Sequence, residues 1–190
     1  MVDLDYGSWV RVQPEPLGSF YLVQMPNRGS GVVHHFGRSV VADSSTAAVM
    51  SPHDPSDKEW AAGTPHRIFY VKRSSVEREL RWLLGHPADG PIRFELAAPT
   101  TTPQARAWRR GIDFLADELA GIGDSSFIEH PATARRFEEA LVGQLLVTHR
   151  HAYSEELCAP ASHKQPSRLV RRACTLMQEH HRAFTSTSSA

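Results

Sequence analysis

The chain changes its apolar period partway along, and that change limits the folds open to it. From Ser19 to Val71 the apolar residues fall in short β-favouring runs cut by turn residues. Ser19–Met25 is closed by Pro26-Asn27 and by Gly29-Ser30-Gly31, while Val32–Phe36 is followed by Gly37-Arg38 and then by Ser39–Asp43. Ala47–Met50 stops at Ser51-Pro52. Asp54-Pro55-Ser56-Asp57 is a turn cluster before Glu59-Trp60-Ala61, and Gly63-Thr64-Pro65 precedes Ile68–Val71. Short strands at roughly eight-to-twelve-residue intervals, with Gly and Pro between them, predict a β-sandwich or small barrel.

Beyond Ser74 the spacing becomes helical. Ser74-Ser75-Val76-Glu77 has the character of a capping box, and Val76, Leu80, Leu83 and Leu84 recur at helical spacing until Gly85. Ile92–Leu96 alternates apolar with charged residues and predicts one more half-buried strand. A helix then starts at Thr102-Pro103, with the stripe Trp108, Ile112, Leu115 and Leu119. A second starts at Pro131. Its apolar residues Ala134, Phe137, Leu141, Val142, Leu145 and Leu146 sweep about half the circumference, more than the ~100° needed to lie on one core. Two explanations stay open: burial between two neighbours of the same chain, or one side packed on the domain and the other on a second copy. Cys158–Ser167 has linker composition, Arg168–Met177 predicts a further amphipathic helix, and Thr185–Ala190 a disordered tail.

Charge and cysteine content exclude several classes. Lys+Arg and Asp+Glu are 21 each, for a formal net charge of +0, whereas a protein that holds nucleic acid by itself usually carries a basic excess. No apolar stretch approaches the ~18 residues that span a bilayer, and the acidic start Met1–Tyr6 lacks the features of a signal peptide. Cys158 and Cys174 are too few for a disulfide framework, which leads to a reduced, cytoplasmic protein.

Catalytic and metal chemistry find little support in the residues. Among 11 histidines, His34 and His35 are strand neighbours that point to opposite faces. His149 and His151 do not share a helical face either, so no metal site is expected. No nucleophile elbow and no phosphate loop occurs, so no catalytic residue and no cofactor is expected. A binding pocket is better supported, because small barrels line their interior with alternate strand residues. The candidate ligand-binding residues are Tyr21, His34, His35, Trp60 and Phe69. Trp60 sits between turn segments, where a barrel mouth is expected. Most of these could equally be core.

The stretches GSFYLVQMP, GSGVVHHFGRSVVAD, AAVMSPHDP and EWAAGTPH, within Leu17–Gly85, resemble the N-terminal effector-binding domain of AraC/XylS-type transcription regulators. The likeness continues through HPATARRFEEALVGQLLVTHRHAYSEEL, and RLVRRACTLMQEH is similar to the first helix of that family's DNA-binding domain, so about residues 17 to 182 are covered. The resemblance implies an α+β fold: a cupin-like double-stranded β-helix (a jelly-roll barrel) followed by two or three α-helices. It also implies a small-molecule effector, with aromatic compounds among the candidates, and a homodimer formed through the helices. Phe137, Leu141, Val142, Leu145 and Leu146 are the dimerisation candidates. Metal-binding cupins carry an H-x-H motif followed by Glu; here His34-His35 is followed by FGRSVVAD, without Glu.

The organisation expected is a barrel with one inserted helix over 1–100, a helical dimerisation segment over 101–155, a linker over 156–167, and over 168–190 the start of a DNA-binding domain plus tail. The resemblance ends within the first helix of the family's two helix-turn-helix units, so they are expected to be missing, and groove reading needs their recognition helices. A non-catalytic sensor and dimerisation domain that does not bind operator DNA alone, a truncated regulator, is the leading expectation. The rivals are a small metal-dependent cupin enzyme, a dioxygenase or isomerase, and a chain that acts only by forming an inactive mixed dimer with a full-length relative.

Overall fold

The computed structural model describes residues 1–121 and 126–159. Met1–Cys158 form one compact unit. The expected helix at Arg168–Met177, most of the linker and the tail lie outside the described residues.

Nine strands are described: β1 (Val2–Leu4), β2 (Val10–Val12), β3 (Phe20–Pro26), β4 (Ser30–His35), β5 (Arg38–Asp43), β6 (Thr46–Met50), β7 (Ser56–Trp60), β8 (His66–Lys72) and β9 (Ala97–Pro99). The helices are α1 (Arg73–Leu84), α2 (Pro103–Ala120), α3 (Pro131–Thr148) and the short α4 (Ser154–Cys158), with a 3₁₀ turn at Phe127–Glu129. The strands pair antiparallel in the order β1-β8-β3-β6-β5-β4-β7-β2, and β9 adds to β6. The sheet curls into a half-barrel. β8 and β7 lie near opposite ends of the strand order, yet the rings of Trp60 on β7 and His66 on β8 stack with centroids 4.3 Å apart. That stack joins the two ends of the curl.

Alternation along the strands divides the apolar residues between two faces. Tyr21, Val23, Met25, Val49, Phe69 and Val71 belong to a core shared with Val76 and Leu80 of α1, Trp108 and Ile112 of α2, and Leu141, Val142, Leu145 and Leu146 of α3. Leu22, Val33, Ala42, Ala48, Met50 and Trp60 belong to a second core on the inner face of the curl. β3 is therefore buried on both sides, which explains why SFYLVQM is apolar almost without interruption.

Local chemistry sets the helix ends. The Thr102 hydroxyl accepts from the Ala105 N–H and Pro103 follows at the first helical position. His130 and Pro131 start α3 in the same way. The capping box at Ser74 does not form: Lys72 occupies the cap without a side-chain bond, and Glu77 instead pairs with Arg73 at 2.7 Å. The turn enters the helix directly from β8, so Ser74 is already inside it.

Three further differences from the sequence expectations concern strands. β1, in the acidic start, and β2, Val10-Arg11-Val12, are three-residue runs too short for periodicity to register; Arg67 ties β1 down through Asp3 at 2.8 Å. β7 begins at Ser56, inside the stretch expected to be a turn. Ile92–Leu96 keeps the alternation, with Ile92, Phe94 and Leu96 buried, but forms no regular ladder, only an isolated bridge from Phe94 to His151. It lies between the irregular segment after α3, through the Glu95 N–H to the Arg150 carbonyl, and β6, whose Val49 N–H donates to the Leu96 carbonyl at 2.9 Å.

Candidate functional site

The inner face of the half-barrel is not wholly apolar. The register sets Ser56 opposite His35, Lys58 opposite Val33, and Trp60 opposite Gly31. Gln24 shares its face with Leu22, and His66 with Ile68. All five polar side chains, Gln24, His35, Ser56, Lys58 and His66, are buried, none more than 7% exposed. Nearly every buried polar group in a folded protein has a hydrogen-bond partner. Here Gln24 Oε1, Ser56 Oγ and His66 Nε2 have none.

Lys58 is the most unusual of the group. Its ammonium makes no ion pair or hydrogen bond among the described residues, and burial alone pushes its pKa below the ordinary lysine range. A cation on a side chain this buried is costly and is normally neutralised or offset by a counter-charge; Lys58 has no counter-charge among the described residues, and its Nζ keeps contact with solvent. The Lys58 charge also helps hold both His35 and His66 below the usual imidazole range, after burial as the main cause. The three groups therefore share one electrostatic neighbourhood.

The two imidazoles are fixed differently. His35 Nδ1 lies 3.1 Å from the Pro55 carbonyl oxygen, and its Nε2 accepts the Ser51 N–H at 3.0 Å, so both nitrogens are used. His66 Nδ1 lies 3.0 Å from the Thr64 carbonyl oxygen. A carbonyl can only accept, so that nitrogen carries the proton, which leaves Nε2 as a bare acceptor. Trp60 is wedged in place: a Cβ added at Gly31 would lie 2.2 Å from its ring, so the ring rests directly on the β4 backbone while His66 covers it by stacking.

Two clefts open beside this face. One, of about 620 Å³, has His35 and Ser56 among its lining residues, together with Asp54 and Gln13. The other, of about 450 Å³, is bordered by Arg38, Arg93, Arg150 and Phe36. Between them, Phe36 at the β4–β5 turn has a positive φ of 50°. Such a backbone is strained for a bulky residue. The Arg93 guanidinium lies 4.4 Å above the Phe36 ring.

The residues expected from the sequence are distributed unevenly around this geometry. Trp60 and His35 lie on the inner face with Lys58 and His66. His34 points outward, is exposed, and meets Ser39 Oγ at 2.6 Å. Tyr21 and Phe69 lie on the opposite, helix-covered face. The Tyr21 hydroxyl donates to the Ile92 carbonyl at 2.7 Å, burial raises its pKa, and Phe69 packs edge-on to Trp108.

The expected dimerisation set is also relocated. Leu141, Val142, Leu145 and Leu146 are each no more than 3% exposed within the single chain, and Phe137 packs at the edge of the same core. The breadth of the α3 stripe comes from its neighbours α1 and α2, as in the Trp108 Nε1–H bond to the Leu141 carbonyl at 3.0 Å. Those four side chains are covered within the single chain. Gln24, Ser56, Lys58 and His66 were not singled out by sequence reasoning: Lys58 sits in Ser-Asp-Lys-Glu-Trp, which looks like a solvated charged run. The signal was period two. Once that run is a strand, Ser56, Lys58 and Trp60 must share a face.

Among the described residues no group of three or more His, Cys, Asp or Glu is arranged to hold a metal ion, and no helix is long and apolar enough to cross a membrane. The described residues thus form a curled antiparallel half-barrel backed by helices, with uncommitted polar groups on its inner face. The chain belongs to the AraC-binding-like domain family, which matches residues 1–147. No curated protein matches it. Among solved structures it is similar to the AraC-like transcriptional activator CuxR, with a TM-score of 0.51 and 9% identity over 75% of this chain and 50% of that one. It also matches the apo form of a ToxT variant from Vibrio cholerae strain SCE256, with a TM-score of 0.45 and 9% identity over 73% of this chain and 52% of that one. The chain thus spans about half the length of these regulators.

Proposed function

We propose that the chain is the non-catalytic sensing domain of a transcription regulator and that its small-molecule effector binds on the inner face of the half-barrel. One observation carries this reading: buried polar atoms of Gln24, Ser56 and His66 lack partners beside an unpaired buried lysine. A bound molecule supplies the missing bonds and stabilises the curl. The adjoining cleft of about 620 Å³ gives a way in, and its size suits a small organic molecule. A thermal-shift screen of small acids, sugars, amines and aromatic compounds tests it. A ligand at 100 times its dissociation constant adds about 2.7 kcal/mol of stability, and its binding is expected to alter Trp60 fluorescence. Hits that leave Trp60 and the His66 resonances untouched would move the site elsewhere.

The same reading has the chain pair with a second copy of itself across the outward face of α1 and α3. Trp82 is 75% exposed and Val147 67% exposed, and both border a groove of about 530 Å³ between the two helices. Arg78, Arg135 and Arg136 line it together with Glu79 and Glu139. A two-fold axis sets a patch against itself, so a patch of both signs can pair across the axis where a single-sign patch would repel. With balanced charge over the sequence, we expect no specific operator binding by this chain alone, and a mobility-shift titration checks it. A reduced, cytoplasmic setting fits the free thiol of Cys158.

A further inference from the structure

The donor and acceptor inventory of the inner face restricts what can satisfy it. Lys58 offers a cation with up to three N–H donors and no acceptor. His66 Nε2 is a bare acceptor because its other nitrogen serves the Thr64 carbonyl, and Gln24 Oε1 is a second free acceptor. Ser56 Oγ can act either way. No carboxylate is among the five buried polar groups of this face. The groups also approach one another. His66 and Gln24 are diagonal neighbours on paired strands, since Gln24 lies opposite Ile68. His66 stacks on Trp60, two residues from Lys58 along β7. A guest that satisfies both sides must bring one anionic acceptor and at least one hydrogen-bond donor, and a hydroxyl is the smallest neutral group that supplies one. The aromatic surface of Trp60 is not open to it, because the ring is fully buried between Gly31 and His66.

We infer that the inner face takes a small hydroxylated carboxylate, whose anionic group pairs with the Lys58 ammonium and whose hydroxyl donates to His66 Nε2, with Gln24 Oε1 as a further acceptor. This rests on the effector-binding reading above and adds to it the chemistry of the ligand. Entry is past His35 and Ser56, which border both the inner face and the larger cleft. The free protein carries the lysine without a partner, and binding supplies one.

The test uses minimal probes on the full chain: acetate and glycolate, each against its neutral amide, followed by ¹⁵N–¹H spectra and melting temperature. Glycolate is expected to bind about tenfold more tightly than acetate, for the added hydroxyl hydrogen bond. Both amides should bind at least tenfold more weakly than their acids, for loss of the charge-assisted bond. Lys58→Met is expected to abolish the preference for the acids, and to raise the melting temperature of the free protein by about 3 °C, because a buried unpaired charge has been removed. Lys58→Gln keeps a polar group there and should lose the acid preference as well. Equal binding of acids and amides, unaffected by either substitution, would overturn the anion inference and leave a neutral effector on the same face. A lower melting temperature in Lys58→Met, with none of the four probes perturbing inner-face resonances, would show Lys58 to be structural. The inference would then fail, and the broader ligand screen would decide the effector reading by itself.

Discussion

The Trp60–His66 stack that joins the ends of the half-barrel needs the Trp60 ring seated on the neighbouring β4 backbone, and Gly31→Ala tests that seat directly. A methyl group at this position would stand 2.2 Å from Trp60 Cε3, 2.7 Å from Cζ3 and 2.6 Å from the Glu59 carbonyl oxygen. All three are far inside van der Waals contact. The indole cannot retreat, because His66 stacks on it at 4.3 Å and Trp60 is wholly buried. The Glu59 oxygen belongs to a strand paired in register with β4. Overpacking a filled core costs about 1–3 kcal/mol, and two rigid obstacles place this substitution at the upper end, about 3 kcal/mol. Urea unfolding followed by tryptophan fluorescence would show a midpoint lower by roughly 1–2 M at the slopes usual for small domains. Pairing the change with Trp60→Leu removes the ring but keeps the Glu59 contact, so the double variant is expected to recover about 1–2 kcal/mol of the summed losses. If Gly31→Ala unfolds within 0.5 kcal/mol of the parent, the ring does not rest on β4 and the account of how the curl closes is wrong.

Two other outcomes separate the roles assigned to the helices and the histidines. Trp82→Asp and Val147→Asp lie on exposed positions and should change stability by about 0.5 kcal/mol or less, while sedimentation shows the dimer lost. Leu145→Ala should cost about 2–5 kcal/mol in circular-dichroism melts, as expected of a fully buried leucine. A monomeric parent would refute the proposed surface. The second outcome concerns acid. Burial pushes the His149 pKa down to about 4, and burial lowers His35, His66 and His151 as well. A histidine held below its unfolded value of about 6.5 binds fewer protons when folded, so stability is full above that pH and falls as pH drops towards 4. His149 alone accounts for about 3 kcal/mol across that window. Urea midpoints at pH 7 and pH 5 would show the loss, and His149→Phe, which keeps a ring against Trp108, should flatten it. A parent curve already flat between those values would show that these rings take up protons in the folded chain as readily as in the unfolded one, and that burial does not hold their pKa values down.

Much of the architecture was legible without coordinates, because it follows from spacing. The Gly and Pro punctuation between Ser19 and Val71 marks β3 to β6 and β8. Gly85, Thr102-Pro103 and Pro131 mark the helix ends, since those residues satisfy or dispense with backbone groups locally. Legibility failed where neighbours in space do the work. β1 and β2 are three-residue strands held by pairing to β8 and β7. Phe137 to Leu146 disclosed how much of α3 is apolar but not who covers it, and α1 and α2 of the same chain do.

The ligand-facing set shows the same division. The sequence by itself determined that a small β-barrel precedes helices, that His34 and His35 face opposite ways, and that the chain resembles a regulator's sensing domain. Those conclusions need only local propensity and periodicity, which act within a few residues. That Lys58 points inward, unpaired, beside His66 from the far end of the strand order was decided by tertiary structure alone. Burial and the loss of water around a charge arise only when β7 and β8 curl together, and nothing within reach of Lys58 along the chain encodes that meeting.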